Sequence, residues 1–277
     1  MKIVLMILST ICGFAFTMNS ALAIPDNVPQ ITVASAINKA GRQRMLSQRI
    51  VKFYCQIGQN VRLDKSQQQL QESIELFDSQ LQEIKQFSPT QGTRSAVAKM
   101  DAAWGPFKAI AAKTPTKENA RKLIGMSEQL LKAAHETTVQ LQDYAGTPTG
   151  RLVNISGHQR MLSQRVAKLY MLKRWGLATP EMASELWQAR NEFNGAMLEL
   201  AAAPENTPKI KQELGLAKMQ WDYLENALSQ ENEDSVNAVN AVMGVNFAFS
   251  LNVATTSERI LDGMDKVTSL YEKLAAK

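Results

Sequence analysis

Apolar residues along this chain recur at steps of three and four and almost nowhere alternate. Leu46, Ile50, Phe53 and Ile57 share one helical face, while Ile37, Gly41, Arg44, Gln48, Val51 and Cys55 line nearly the opposite side of the same segment. Gln, Ala, Leu, Lys and Glu dominate and β-branched runs are brief, so the period is helical from end to end. Prolines punctuate it: Pro89, Pro115, Pro148, Pro180, Pro204 and Pro208 fall where the apolar period breaks. The pattern predicts eight helices, at 28–60, 66–88, 94–113, 117–145, 150–177, 180–202, 207–230 and 233–275, with Pro106 in "WGPF" kinking or interrupting the third. That is an all-α chain built as helix bundles.

The pattern is also written twice. QRMLSQR occupies Gln43 to Arg49 and returns at Gln159 to Arg165, 116 residues later. Aligning the two copies brings Asn38 over Asn154, Gly41 over Gly157, Tyr54 over Tyr170 and Phe77 over Phe193, and Trp104 meets Trp221 after a one-residue slip. A duplicated module follows. The first unit is assigned 24–148 and the second 149–277, each a four-helix bundle, joined by the turn-rich "AGTPTG" from Ala145 to Gly150.

The second unit repeats the polar-centred seam as Val153, Gly157, Arg160, Gln164, Ala167 and Met171. A glycine one turn before an arginine admits a neighbouring backbone, and steps of four and three suit a helix partner. The simplest partner is the equivalent helix of the other repeat, so the two motif helices are expected to face each other and bring Arg44 and Arg160 together. Two guanidiniums ~8 Å apart repel by roughly 2 kcal/mol at an effective dielectric of 20, whereas an anion ~4 Å from each is attracted by roughly 4 kcal/mol per arginine before desolvation. The planar, paired donors of guanidinium match a flat oxyanion such as nitrate or nitrite; sulfate and carboxylates satisfy the same donors. The competing arrangement pairs each arginine with an acidic residue of a neighbouring helix, for which Glu72, Glu75 and Asp78 are available. Periodicity leaves both open. Arg49 and Arg165 sit off the seam and take a supporting role.

The opening stretch "MKIVLMILSTICGFAFTMNSALA" combines one Lys, an apolar run from Ile3 to Phe16, and Ala21 and Ala23 at an A-x-A site, which predicts a signal peptide over 1–23 and a mature chain from Ile24. The run is short of the roughly 20 residues of a membrane span, and no later segment reaches that length, so the mature chain is expected to be exported, soluble and without a transmembrane segment. Cys12 falls inside the signal, leaving Cys55 as the one mature cysteine and excluding an internal disulfide. The net charge of +5 is scattered, with no basic block or aromatic ladder, which argues against nucleic acid.

Catalytic constellations are absent from the pattern. His135, beside Glu136, is expected to be a solvated histidine, and His158, in the place of Arg42, a surface or supporting polar group. Met45 and Met161 are assigned to the core rather than to a soft metal. No phosphate loop, C-x-x-C-H or acidic cluster at metal spacing occurs, so no cofactor or metal is expected and the protein is read as a non-enzyme.

"INKAGRQRMLSQR" (Ile37 to Arg49) and "VNISGHQRMLSQR" (Val153 to Arg165) resemble the P-box that opens the PilJ/NarX-type sensor domain of nitrate-responsive histidine kinases and type IV pilus-associated chemoreceptors. The resemblance implies a periplasmic four-helix bundle in which two P-box helices clasp one nitrate. It carries the ligand-contacting role to Arg44 and Arg160, with Gly41 and Gly157 at the contact. Supporting P-box positions fall on Asn38, Met45, Ser47 and Arg49, and on Asn154, Met161, Ser163 and Arg165. Family members follow the bundle with a transmembrane helix and an output domain, whereas this sequence ends at "YEKLAAK"; it also holds both boxes in one chain, so one molecule can imitate the family's dimer. The expectation is a protein that binds nitrate or nitrite between the modules, or else an adaptor without ligand that docks on a membrane-bound chemoreceptor or sensor kinase.

Overall fold

Helix-capping chemistry marks where several elements of the computed structural model begin. The model describes residues 31–236 and 243–275, with side chains described outside 230–246. The signal expected at 1–23, its junction at Ile24, Cys12 and the expected helix start at 28 lie outside these residues. The helices are α1 (Val33–Gly58), α2 (Leu63–Gln86), α3 (Gln91–Ala111), α4 (Lys117–Ala145), α5 (Pro148–Arg174), α6 (Pro180–Ala202), α7 (Pro208–Val236) and α8 (Met243–Ala275). No strand occurs among the described residues. Thr32, Thr90, Thr116 and Thr147 cap α1, α3, α4 and α5 by accepting a backbone N–H three residues on. Pro148 and Pro180 stand in the first turns of α5 and α6, where the missing N–H costs nothing.

Three expected boundaries need correction. The connector from Ala145 to Gly150 shrinks to Gly146 and Thr147, because Gly146 takes the left-handed conformation at φ 59° and Thr147 caps α5 at once. The break expected after residue 230 does not occur there, since α7 continues to Val236. Pro106 does not interrupt α3. It lies on the exposed side with Ala102, whose carbonyl loses its intrahelical donor where water can replace it.

The helices pack in two groups. In the first, α1 lies against α2 and α4, and α3 against α4; in the second, α5 lies against α6 and α8, and α7 against α8. The motif helices join the groups, α1 packing along α5. Each is consequently buried on nearly every side, as two opposed seams require. An aromatic pair repeats in each group: Phe77 stacks on Trp104 at 3.8 Å and Phe193 on Trp221 at 3.7 Å, both inclined by 13°. Such pairs contribute about 0.5–1.5 kcal/mol beyond burial of their area. The indole N–H groups donate to Asp78 and Asn194, which also occupy matching positions. No helix among the described residues is long and apolar enough to cross a membrane.

Candidate functional site

α1 and α5 approach most closely at their glycines. A Cβ on Gly41 would sit 3.9 Å from the Gly157 Cα and 3.2 Å from Arg44 Nη2; one on Gly157 would sit 4.0 Å from the Gly41 Cα and 3.2 Å from Arg160 Nη2. The absence of side chains there lets two backbones and two guanidiniums share one crossing.

From this crossing each arginine reaches the opposite helix. Arg44 Nη2 donates to Asn154 Oδ1 at 2.7 Å and to the Asn154 carbonyl at 3.1 Å; Arg160 Nη2 donates to Asn38 Oδ1 at 2.7 Å and to the Asn38 carbonyl at 3.2 Å. The contacts exchange as they would about a two-fold axis. Asn38 and Asn154, expected only to support the site, are thus direct partners of its arginines. Arg44 and Arg160 are 1% and 0% exposed, and the Nε of each makes no protein hydrogen bond.

The symmetry fails at the third contact. Arg160 Nη1 donates to Asp265 Oδ1, which also accepts from Arg42 Nη2 at 2.6 Å. Arg44 Nη1 instead meets His135 Nδ1 at 3.3 Å. His158, at the place of Arg42, lies with its ring 6.5 Å from that of His135. A neutral group replaces an acid again next to the asparagines: Asn38 Nδ2 donates to Glu272, and Asn154 Nδ2 to Gln142. His135 and Gln142 on α4 therefore take the places of Asp265 and Glu272 on α8, in each case 130 residues apart. Glu72, Glu75 and Asp78, available for pairing by sequence, do not reach the arginines. Glu72 and Glu75 accept from Gln68 and Gln71 on the exposed side of α2, and Asp78 pairs with Lys108.

The electrostatics follow this division. Burial, then the charge of Arg160, lowers Arg44 to about 9; burial lowers Arg160 to about 10 against the pull of Asp265. Both remain cations at neutral pH. Burial pushes the Asp265 carboxyl up, but Arg160 and Arg42 hold it below the usual carboxylate range. His135 is lowered by burial, by Arg44 and by His158; His158 is lowered by burial and by Arg44 against its bond to Glu192.

Two further ion clusters flank the crossing. Lys52, fully buried, donates to Glu258 at 2.5 Å and to Gln164 at 2.7 Å, and Arg49 joins it on Glu258. Lys168 donates to Glu128 at 2.7 Å, and Arg165 bridges Glu128 and Glu185. Each acid thus ties its helix, α8 or α4, to a motif helix of the other group. Lys52 and Lys168 occupy matching places two residues before Tyr54 and Tyr170, which is the sequence signal for this pair of buried cations. Met45 and Met161 are buried, and Ser47 and Ser163 bond back to the carbonyls of Arg44 and Arg160. His135 is exposed as expected, yet it touches Arg44. Among the described residues no group of His, Cys, Asp and Glu could hold a metal ion.

The model of the family described as PilJ, type IV pili methyl-accepting chemotaxis transducer N-term, matches residues 30–130 and 147–243. No curated protein and no solved structure matches the chain. The two matched stretches hold both motif helices and stop short of His135 and Asp265. They take in well over half of the chain, which therefore belongs to the PilJ family of chemoreceptor sensor domains.

Proposed function

We propose that this chain is an exported, periplasmic binding protein made of two tandem sensor modules, 24–148 and 149–277, which holds a small oxyanion, nitrate or nitrite, between two P-box helices and performs no catalysis. The observation that carries the reading is Arg44: a guanidinium 1% exposed, beside a second one, whose protein partners are an asparagine and a histidine and which forms no ion pair among the described residues. A buried cation held by neutral groups is strongly stabilised when an anion joins it. Arg160 supplies a second guanidinium at the same crossing, and Gly41 and Gly157 keep both helices close enough to share one ion. Its state would pass to a membrane-bound chemoreceptor or kinase by contact.

Melting curves and calorimetric titrations with nitrate, nitrite, chloride, sulfate and formate test this on the parent and on Arg44→Ala, Arg160→Ala and the double variant. Loss of one charge-assisted contact worth about 1.5–3 kcal/mol weakens nitrate binding about tenfold or more in each single variant. Lysine at either position rescues only in part, keeping charge without the planar fork. An undiminished nitrate response in the double variant sinks the site. A parent that answers to no anion in the panel favours the second reading, a ligand-free adaptor, for which the Arg160–Asp265 ion pair speaks.

A further inference from the structure

The two halves of the crossing differ in the carboxylates bound to the arginine and to its asparagine: two on the Arg160 half and none on the Arg44 half. Around Arg160 stand Arg42, Asp265 and, on Asn38, Glu272, so cations and carboxylates balance. Around Arg44 stand His158, His135 and, on Asn154, Gln142, and no carboxylate touches the guanidinium. One carboxylate does face the imidazoles, Glu192 of α6, 3.3 Å from His158, and it makes no ion pair with Arg44; nearby, Glu128 of α4 is held by Lys168 and Arg165 of α5, and Glu136 of α4 by Lys99 of α3. Taking the anion reading above as its basis, we propose that His135 and His158 complete an anion site on the Arg44 half alone. There a planar monoanion takes the part that the Asp265 carboxylate plays on the other half, and a proton enters with it.

Arginine can only donate, so in the contact of Arg44 Nη1 with His135 Nδ1 the imidazole nitrogen accepts, which makes His135 neutral with its proton on Nε2. Protonating Nδ1 removes the acceptor and sets a second cation against Arg44. An anion between them reverses both effects, because each then donates to it. Asp265 already displays this arrangement, one planar carboxylate shared by Arg160 and Arg42. Access is provided by the same residues: Arg44 is buried, but the His158 side chain is 27% exposed and His135 more so, so a small ion reaches the guanidinium past the imidazoles. Binding and protonation then favour each other by the same factor. Burial and Arg44 hold both histidines low without the anion, and the anion lifts them, so affinity rises as pH falls through the histidine range.

Calorimetric titration of the full chain with sodium nitrate in chloride-free buffer, from pH 8.5 to 5.5, tests the proposal. In the parent, the dissociation constant falls with pH with a slope approaching about tenfold per unit for one linked proton. His135→Asp installs the carboxylate of the other half: nitrate affinity drops at least about tenfold at every pH while the anion-free melting temperature rises. His135→Gln, which cannot titrate, flattens the slope. Nitrate binding of equal strength across this range in the parent, or parent-like binding in a folded His135→Asp, overturns the histidine site and leaves the anion reading standing. If His135→Asp does not fold, the slope of His135→Gln decides, and a retained slope overturns the proposal. A parent that binds nitrate at no pH overturns both.

Discussion

Arg44 and Arg160 stand in identical heptapeptides, make the same paired bond to an asparagine across the crossing, and are equally buried, yet one rests on a carboxylate and the other on an imidazole. The difference arises on α4 and α8, the helices packed behind the arginines. A buried cation is set less by its own motif than by what the neighbouring helix offers it. The flanking clusters carry the same lesson: Lys52 with Glu258 and Lys168 with Glu128 are matched in sequence position, but Glu258 is 12% exposed and Glu128 35%.

The largest contrast between the halves lies in those clusters. Glu258→Ala leaves Lys52 buried without its carboxylate, which costs about 3–5 kcal/mol, whereas Glu128→Ala costs less because water reaches Lys168's partner site. Urea unfolding of the two variants measures the gap; equal losses would show that the clusters are equivalent despite their exposure. Acid should expose the same pair. Although burial pushes Glu258 up, Lys52 and Arg49 hold it at about 2, below its ordinary value, so its contribution is complete above the ordinary carboxylate range and is lost as pH falls toward 2. In Glu258→Gln that part of the acid transition disappears.

Next in size is the crossing itself, where the two halves should respond alike. Leucine at Gly41 or Gly157 forces its side chain into the opposing backbone and guanidinium, destabilising by about 1–3 kcal/mol and weakening any anion response with it. A variant that keeps both stability and response would mean that the helices separate freely. The smallest effect distinguishes the Arg44 half again. In the anion-free parent, His135 and His158 are neutral in folded and unfolded chains well above pH 6.5, and the unfolded chain protonates first as pH falls. The melting temperature therefore declines modestly below that pH, and His135→Gln reduces the decline.

Much of this was legible along the chain. Proline positions announced the breaks between helices, the paired glycines announced a close crossing of α1 and α5, and the equivalence of Phe77 with Phe193 and of Trp104 with Trp221 returns as two matching stacked pairs. His135 was not legible as a partner of Arg44. It sits beyond the matched family stretches, and it aligns with Asp265 only at a spacing of 130, while the motifs align at 116. The interruption allowed for at Pro106 does not occur, and the period could not tell this because the outcome depends on which side of α3 faces water.

Local chemistry therefore determined the elements: period, caps and the repeated motif are properties of neighbours along the chain, and they specify eight helices and two arginines aimed at one seam. Which arginine is neutralised was decided only by the tertiary structure. Coulomb interaction and desolvation depend on distance and burial, and residues about 90 to 230 positions apart meet here: Arg44 with His135, Arg160 with Asp265, and Asn38 with Glu272.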